Sequence, residues 1–230
     1  MTRCKNMTYT YTLKRSKRKT ISLTVKPDCT LEVRAPLTTS KRRIDEFVSA
    51  NSIWIEKNII KAQELAKAKQ NFSLDYSSNV YFFGNRLPIE KAAIRKAKLE
   101  NNRILMPPDL DSDSIRQQLV SLYKDTARKY ISAQLPIFSQ KLGVNPSKLM
   151  ITSAKTNWGS CTSDRVHFSW HLIMAEKEVI DYVIIHELTH IIHHNHSPYF
   201  WAEVAKHCPD YKALRARLKH YSDVLNKENW

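Results

Sequence analysis

Glycine is scarce in this chain. The 230 residues contain three glycines, Gly84, Gly143 and Gly159, and they lie far apart. A phosphate-binding loop or a dinucleotide-binding fingerprint needs several glycines close together at a strand-to-helix turn. The sequence therefore disfavours kinase-like, ATPase-like and Rossmann-type functions.

Paired cysteines and long apolar runs are also missing. The four cysteines are widely separated and form no CxxC pair, which argues against a disulfide framework and against a cysteine zinc site. No segment reaches the roughly 20 uninterrupted apolar residues that a membrane helix requires. The basic N-terminal stretch MTRCKNMTYT has no apolar run behind it, so it is not typical of a secretory signal. We therefore expect a cytoplasmic protein with no membrane span.

Acidic residues are few in the first half of the chain. Residues 1–108 contain 22 Lys and Arg against 9 Asp and Glu, a net charge of +13, whereas residues 109–230 carry +2. Such a positive field attracts nucleic acid and other polyanions. A polyanion is thus a predicted partner of this half, and the alternative is that these cations only solubilise a surface.

The pattern of apolar residues predicts an α+β protein in two parts. Alternation over residues 9–35, interrupted by KPDCT, predicts an antiparallel hairpin, and spacings of three, four and seven predict one long basic helix over 41–69. Further short strands are expected up to Pro108, and a second long helical region, with a kink or break at Pro136, follows. We expect a basic β-rich region over residues 1–108 and a hydrolase domain over residues 109–230.

The C-terminal part carries the chemical signal. Residues 149–175 are interpreted as strand, loop and strand, with HLIMA in the second strand. A largely apolar and therefore buried helix is expected from Glu176 to His193 or His194, followed by a helix from about Pro198 and a short final helix after Pro209.

The predicted buried helix contains the sequence HELTH. His186 and His190 are four residues apart, so their imidazoles project from one helix face about 6 Å apart along the axis. Two such nitrogens can bind one zinc ion, and Glu187 could accept a proton from a water held there. This is the HExxH arrangement of zinc hydrolases.

A tetrahedral site needs one more protein ligand. His196 is the best candidate if the helix ends near His194 and the chain reverses at Asn195, which tolerates the left-handed conformation. The rivals are Glu203, on the next helix, and His193 or His194. Cys161 is a further candidate, as a nucleophile. One zinc ion per chain is expected.

Four motifs together resemble a known family. They are WGSC at 158–161, HLIMA at 171–175, VIDYVIIHELTH at 179–190 and NHSPYFW at 195–201. They are similar to the YgjP-like metal-dependent hydrolases, zincin relatives of the SprT and WLM groups, and KRSKRKTISLTV, LEVRAP and WIEK are similar to the N-terminal region of that family. The resemblance covers most of the chain.

The resemblance implies a metallopeptidase with zinc ligands His186, His190 and His196 and with Glu187 as the catalytic acid and base. Asn157 departs from the family pattern, which usually has an arginine just before WGSC, and this difference puts activity or specificity in question. The substrate is left open between peptides and nucleotides, because zinc and a glutamate can also hydrolyse a phosphoanhydride. A third hypothesis is a protein that binds nucleic acid, or a protease recruited by it.

The group that stabilises the developing oxyanion is not specified by these motifs. Candidate residues for this role or for substrate contact are Asn157, Trp158, His194 and Tyr199. Trp158 and Trp201 are interpreted first as aromatic walls of a core or cleft.

Overall fold

The computed structural model describes residues 9–228 and Trp230. These residues form two compact units, one containing the described residues up to Phe72 together with those from Asn226 to 228, and the other containing Ser73–Leu225 with Trp230. Helices and small sheets occur in both, so the predicted α+β class is confirmed. Among the described residues, no helix combines the length and the apolar character needed to cross a membrane.

The first unit packs two helices onto a three-stranded sheet. Its strands are β1 (Tyr11–Ser16), β2 (Ser22–Val25) and β3 (Leu31–Pro36). The central strand β3 pairs antiparallel with β2, as the predicted hairpin requires, and parallel with β1. The alternating side chains of β3 supply half of a core whose buried members are Leu31, Val33, Ala35, Ile44, Val48 and Ile55.

The basic helical segment is two helices, not the single helix predicted over 41–69. Helix α1 (Lys41–Ala50) and helix α2 (Ser52–Asn71) meet at Asn51, whose backbone leaves the helical region at φ −106° and ψ 19°. The Asn51 side chain donates a hydrogen bond to the Phe47 carbonyl at 2.8 Å. An asparagine side chain that bonds to nearby backbone favours helix ends over helix interiors, which accounts for the break.

The second unit begins with a four-stranded sheet and a long helix. The strands are β4 (Asn79–Phe82), β5 (Asn85–Lys91), β6 (Lys98–Glu100) and β7 (Arg103–Met106), in the order β4-β5-β7-β6. Helix α3 (Ser112–Leu142) starts at the Asp111 cap and ends at Gly143, which has φ +67°. The predicted break at Pro136 is absent. Helix α3 continues through the proline, and Ile131 and Leu135 in the turns before it are buried.

The rest of the second unit holds the elements around the HELTH motif. Strands β8 (Lys148–Thr152), β9 (Gly159–Thr162) and β10 (Arg165–Ser169) form a sheet in the order β8-β10-β9. Helices α4 (Lys177–Ile192), α5 (Pro198–His207) and α6 (Tyr211–Lys227) follow, and α6 is 17 residues long where a short helix was predicted.

The prediction of a strand at HLIMA is wrong. Residues Trp170–Met174 form a 3₁₀ helix, and all five of their side chains are buried. The Ser169 hydroxyl accepts a hydrogen bond from the His171 N–H and starts this turn. A short, fully apolar run has no period that separates a buried strand from a buried helical turn, so the pattern could not distinguish them.

The boundary between the compact units lies after Phe72, whereas the sequence predicted a division after residue 108. Strands β4 to β7 therefore belong to the same unit as the HELTH helix. The functional division into a basic region and a hydrolase domain stays a prediction.

A buried carboxylate joins three cations in the first unit. Glu32 is 2% exposed and lies 2.9 Å from the Lys14 ammonium, 3.3 Å from that of Lys26 and 2.7 Å from the Arg34 Nε. Hydrogen bonds from Lys14 and Arg34 lower the pKa of Glu32 from 4.5 to about 2. A lowered pKa in the folded chain stabilises it above the unfolded-state pKa, and that stability is lost as the pH falls toward the folded-state value.

We expect Glu32→Gln to lower the free energy of unfolding at neutral pH, because three cations lose their common partner. The difference from the wild type should shrink as the pH falls from 4.5 to about 2, where the wild-type carboxylate becomes protonated. Urea unfolding at neutral pH and across the acid range measures it. Glu46→Gln, which removes one exposed pair with Arg42, is the control and should change little. A Glu32→Gln chain as stable as the wild type at neutral pH would contradict the prediction.

Candidate metal centre

Helix α4 positions two histidines through its own burial. Val179, Ile180, Ile184 and Leu188 are fully buried on this helix, so it is held on most of its circumference. His186 and His190 follow each other by one turn, with ring centroids 5.0 Å apart. Because the helix is fixed by packing, these two imidazoles are presented in a set orientation.

The chain reverses after α4 and brings in a third histidine. Helix α4 ends at His193, whose backbone is extended at φ −125° and ψ 101°. Ser197 then caps α5 by accepting a hydrogen bond from the Phe200 N–H. His196, between these two points, lies with its Nε2 atom 3.1 Å from the Nε2 atom of His186.

The left-handed turn expected at Asn195 does not occur, since the φ angle of this residue is not positive. The Asn195 side chain instead accepts a hydrogen bond from the Ser197 N–H at 3.2 Å. A local side-chain bond to the backbone thus makes the turn without a left-handed residue.

The arrangement of the three histidines fits a metal ion. His186, His190 and His196 each offer a ligand nitrogen, and these atoms lie within 4.8 Å of one another. Two nitrogens about 2.05 Å from a tetrahedral zinc ion are about 3.3 Å apart, close to the observed separation of the His186 and His196 Nε2 atoms. His190 Nδ1 lies 3.1 Å from the His193 carbonyl oxygen, to which it can donate, and this bond leaves Nε2 of His190 for a ligand role.

The electrostatics of the cluster favour neutral imidazoles. Burial, with the neighbouring histidines His190 and His196, lowers the pKa of His186 to about 3. Burial also lowers the pKa of His190. A neutral imidazole is the form that binds a metal, so no proton has to be displaced from these two rings at neutral pH.

Glu187 lies beside the cluster in a tight apolar setting. Its side chain is 6% exposed, and burial raises the pKa of its carboxyl group from 4.5 to about 7. Strand β9 passes close by: a Cβ atom on Gly159 would lie 2.6 Å from Cγ and 2.8 Å from Oε1 of Glu187. A side chain at position 159 would displace the Glu187 side chain, so glycine leaves room for the carboxylate in its observed position.

A cleft of about 480 Å³ opens over these groups and is called here the metal-site cleft. Its walls include Trp158, Gly159, Tyr182, Trp201, Arg215 and Leu218, beside His186, Glu187 and His196. Trp201 stacks on His196 with ring centroids 5.5 Å apart and an interplanar angle of 21°. Three of the walls, Trp158, Tyr182 and Trp201, are therefore aromatic, and Trp201 packs against a candidate ligand.

Arg215 is the wall residue that sequence reasoning missed. Its guanidinium lies over the Trp201 ring, 5.2 Å from the centroid, and no acidic side chain among the described residues forms an ion pair with it. It stands 29 positions after His186 on α6, with no motif around it. Only the folding of α6 onto the cleft reveals it.

The other predicted contact residues are placed differently. Trp158 lines the cleft, and its indole N–H donates to the Ser222 hydroxyl at 3.2 Å. Asn157 is exposed, lies within 3.5 Å of the Gly159 carbonyl oxygen, and lines a separate cavity beside the sheet. His194 and Tyr199 are exposed and outside the cleft, Tyr199 to 76%. Their roles in catalysis or substrate contact stay predictions.

The rival ligands and nucleophile have other surroundings. The Glu203 carboxylate is engaged by Lys206 at 2.6 Å and by His207 at 3.2 Å, and Glu203 is not a member of the three-histidine group. Burial raises the pKa of the Cys161 thiol to about 11, so this residue is a thiol and not a thiolate at neutral pH.

Comparison with known families gives one match. The family model described as YgjP-like, metallopeptidase domain, matches residues 19–221. No curated protein and no solved structure gives a significant match. The matched range contains all three histidines and Glu187, and it also extends over most of the first unit.

We expect His196→Ala to lower the metal content of the purified chain, because two ligands from one helix leave the site incomplete. Elemental analysis after mild dialysis should give about one metal ion per wild-type chain and much less for the variant. His194→Ala is the matched control, since it removes an exposed imidazole two residues away that is outside the group. Equal metal loss in both variants, or none in either, would remove His196 from the ligand set.

Proposed function

The chain belongs to the YgjP-like metallopeptidase family, and from this premise we propose that it is a zinc-dependent peptidase of the HExxH type. The observation that carries the proposal is the convergence of three imidazole nitrogens within 4.8 Å beside a buried glutamate, in one open cleft. A structural zinc site would use four protein ligands and has no need of an acid next to the first of them. Three ligands leave one position for water or substrate.

In the proposed mechanism, His186, His190 and His196 would hold the metal through one ring nitrogen each. Zinc bound there would supply the Lewis-acid chemistry that polarises a carbonyl group and lowers the pKa of water. Glu187 takes the proton from the attacking water and later donates it to the leaving amine. The absence of a side chain at Gly159 leaves the carboxylate the space that it occupies beside the cluster.

The walls of the metal-site cleft favour a peptide over a nucleotide. Trp158, Tyr182 and Trp201 present aromatic surface, and Arg215 supplies the single Lys or Arg of the cleft lining. A triphosphate needs several cations or backbone N–H groups to hold its charge. The aromatic walls and the single cation therefore favour peptide hydrolysis, and phosphoanhydride hydrolysis is the second candidate function.

We expect Glu187→Gln to lower peptide hydrolysis by about 10²- to 10⁴-fold while the metal content stays the same, because the proton acceptor is removed and the ligands are kept. Release of new amino termini from an unbiased peptide mixture measures it, with nucleoside triphosphates assayed in parallel. Glu178→Gln, an exposed glutamate on the same helix, is the control.

Three results of that assay would each change the assignment. Full peptide hydrolysis in Glu187→Gln with metal retained ends the proposed role of this glutamate. Hydrolysis of the triphosphates alone replaces the peptidase by a phosphoanhydride hydrolase. No hydrolysis of either substrate by the metal-loaded wild type counts against both.

Arg215 is proposed to bind a carboxylate of the peptide next to the scissile bond. It shares the cleft with Glu187 and has no acidic partner among the described residues, so its charge is available to a substrate. The planar guanidinium matches one carboxylate through two parallel hydrogen bonds. Trp201, under the guanidinium, holds it at the cleft wall.

We expect Arg215→Glu to reverse the preference between two peptides that differ only by an acidic or a basic residue beside the cleaved bond. The ratio of their kcat/KM values should change by about tenfold or more, because one charge-assisted contact is replaced by repulsion. Lys219→Glu makes the same charge change on the exposed part of α6 and is the control. If both peptides lose activity equally in Arg215→Glu, this arginine only supports Trp201.

A further inference from the structure

The first unit contains a second cleft, distant in sequence from the HELTH motif and called here the basic cleft. It has a volume of about 620 Å³ and is lined by the cationic residues Arg18, Lys19 and Arg43. Three threonine hydroxyl groups, of Thr20, Thr38 and Thr39, line it as well. No acidic residue belongs to this lining, so every charge in the cleft is positive.

The cations of the basic cleft belong to the part of the unit's positive charge that no ion pair neutralises. Residues 9–72 contain 14 Lys and Arg against 6 Asp and Glu, a net charge of +8. Three of the six acids form ion pairs outside the cleft: Lys14, Lys26 and Arg34 pair with Glu32, Lys41 pairs with Asp45, and Arg42 pairs with Glu46. Across residues 9–228, no acidic side chain forms an ion pair with Arg18, Lys19 or Arg43.

Arg18 shows that the cleft is more than an exposed charge cluster. Its Nε atom is buried from solvent and has no hydrogen-bond acceptor among the described residues. Its Nη2 atom donates to the hydroxyl of Thr20, another residue of the cleft lining, at 3.4 Å. A buried donor without an acceptor is costly, so binding of an anion whose oxygen accepts from this Nε–H would be favourable.

The start of α1 adds to this field. The chain passes through Thr38 and Thr39 into the Ser40 cap, and Arg43 lies in the first turn of a ten-residue helix. The first N–H groups of a helix and its dipole favour anions, phosphate above all. The start of this helix thus favours the same kind of ligand as the unpaired cations, an anion.

We propose that the basic cleft binds the phosphodiester backbone of a single-stranded nucleic acid. Guanidinium groups, hydroxyl groups and a helix N-terminus are the donors that phosphate oxygens take in proteins. Phe47 and Ile21, both half-buried, give the cleft an apolar side on which an unpaired base can pack. The bases of a duplex are stacked and paired and cannot enter a cleft of this kind.

A nucleic acid fits better than an isolated phosphate group. The net charge of +8 extends over the whole unit, well beyond the three cations of the cleft. A polymer with one charge per nucleotide can use this wider field, whereas a single phosphorylated side chain cannot. This site is separate from the metal-site cleft and does not depend on the proposed peptidase activity.

Two adjacent arginines allow a matched test on the full chain. Arg42 and Arg43 are both exposed in the first turn of α1, but Arg43 lines the basic cleft and Arg42 pairs with Glu46. Fluorescence anisotropy with labelled single-stranded DNA, single-stranded RNA and a duplex of the same sequence, over a range of salt concentrations, measures binding by the wild type, Arg42→Gln and Arg43→Gln.

We expect Arg43→Gln to weaken single-strand binding and to flatten the plot of log K against log salt by about 0.7, the value of one phosphate contact. Arg18→Gln combined with Arg43→Gln should flatten it by about twice that amount. Arg42→Gln should keep the wild-type slope. Circular dichroism confirms that each variant is folded.

Several outcomes would overturn the proposal. Equal losses in Arg42→Gln and Arg43→Gln would mean that the general charge of the unit binds, and not this cleft. Tighter binding of the duplex would exclude the single-stranded ligand. Displacement of the oligonucleotide by a phosphorylated peptide at lower concentration would assign the cleft to another anion, and no binding at low salt would remove the site. If the cleft binds single strands, the affinities for single-stranded DNA and single-stranded RNA show which of the two it prefers.

Discussion

The burial of α4 is the constraint on which the candidate metal centre depends. Each fully buried aliphatic side chain contributes about 1.5–3 kcal/mol, and this helix buries several of them, among them Val179, Ile184 and Leu188. The rise in the pKa of Glu187 from 4.5 to about 7 corresponds to a cost of about 3 kcal/mol for keeping it ionised there. The free energy gained by burying the apolar face outweighs that cost. The helix can therefore keep a carboxylate and neutral imidazoles in a largely water-excluded place.

The parts of the fold that rest on local spacing could be predicted from the sequence. The hairpin of β2 and β3 follows from alternation around KPDCT, and the limits of α4 follow from its apolar run. The proximity of His186 and His190 is a property of any helix with this spacing. His196 could be named because the helix was expected to end near His194 and the chain to reverse; the left-handed Asn195 expected there does not occur, but His196 lies 3.1 Å from His186.

Other parts depend on contacts that no local pattern encodes. Arg215 lines the metal-site cleft only because α6 folds over it, and nothing in its neighbours distinguishes it from Lys219 on the same helix. The 3₁₀ helix at Trp170–Met174 buries all five of its side chains, and this burial depends on the surrounding elements of the fold. Gly159 carries a weak signal, since glycine is rare in this chain, but its contact with Glu187 requires strand β9 to be placed.

The structure separates the cations of the first half into those that form ion pairs and those that do not. From the sequence alone, 22 Lys and Arg over residues 1–108 are equally compatible with solubility and with binding to a polyanion. Ion pairing separates the two cases, because a cation held by Glu32 or Glu46 already has its counter-charge. Arg18, Lys19 and Arg43 have no counter-charge among the described residues, and they line the same cleft. Because these three cations share one cleft and have no counter-charge among the described residues, the cleft can attract an anion from outside.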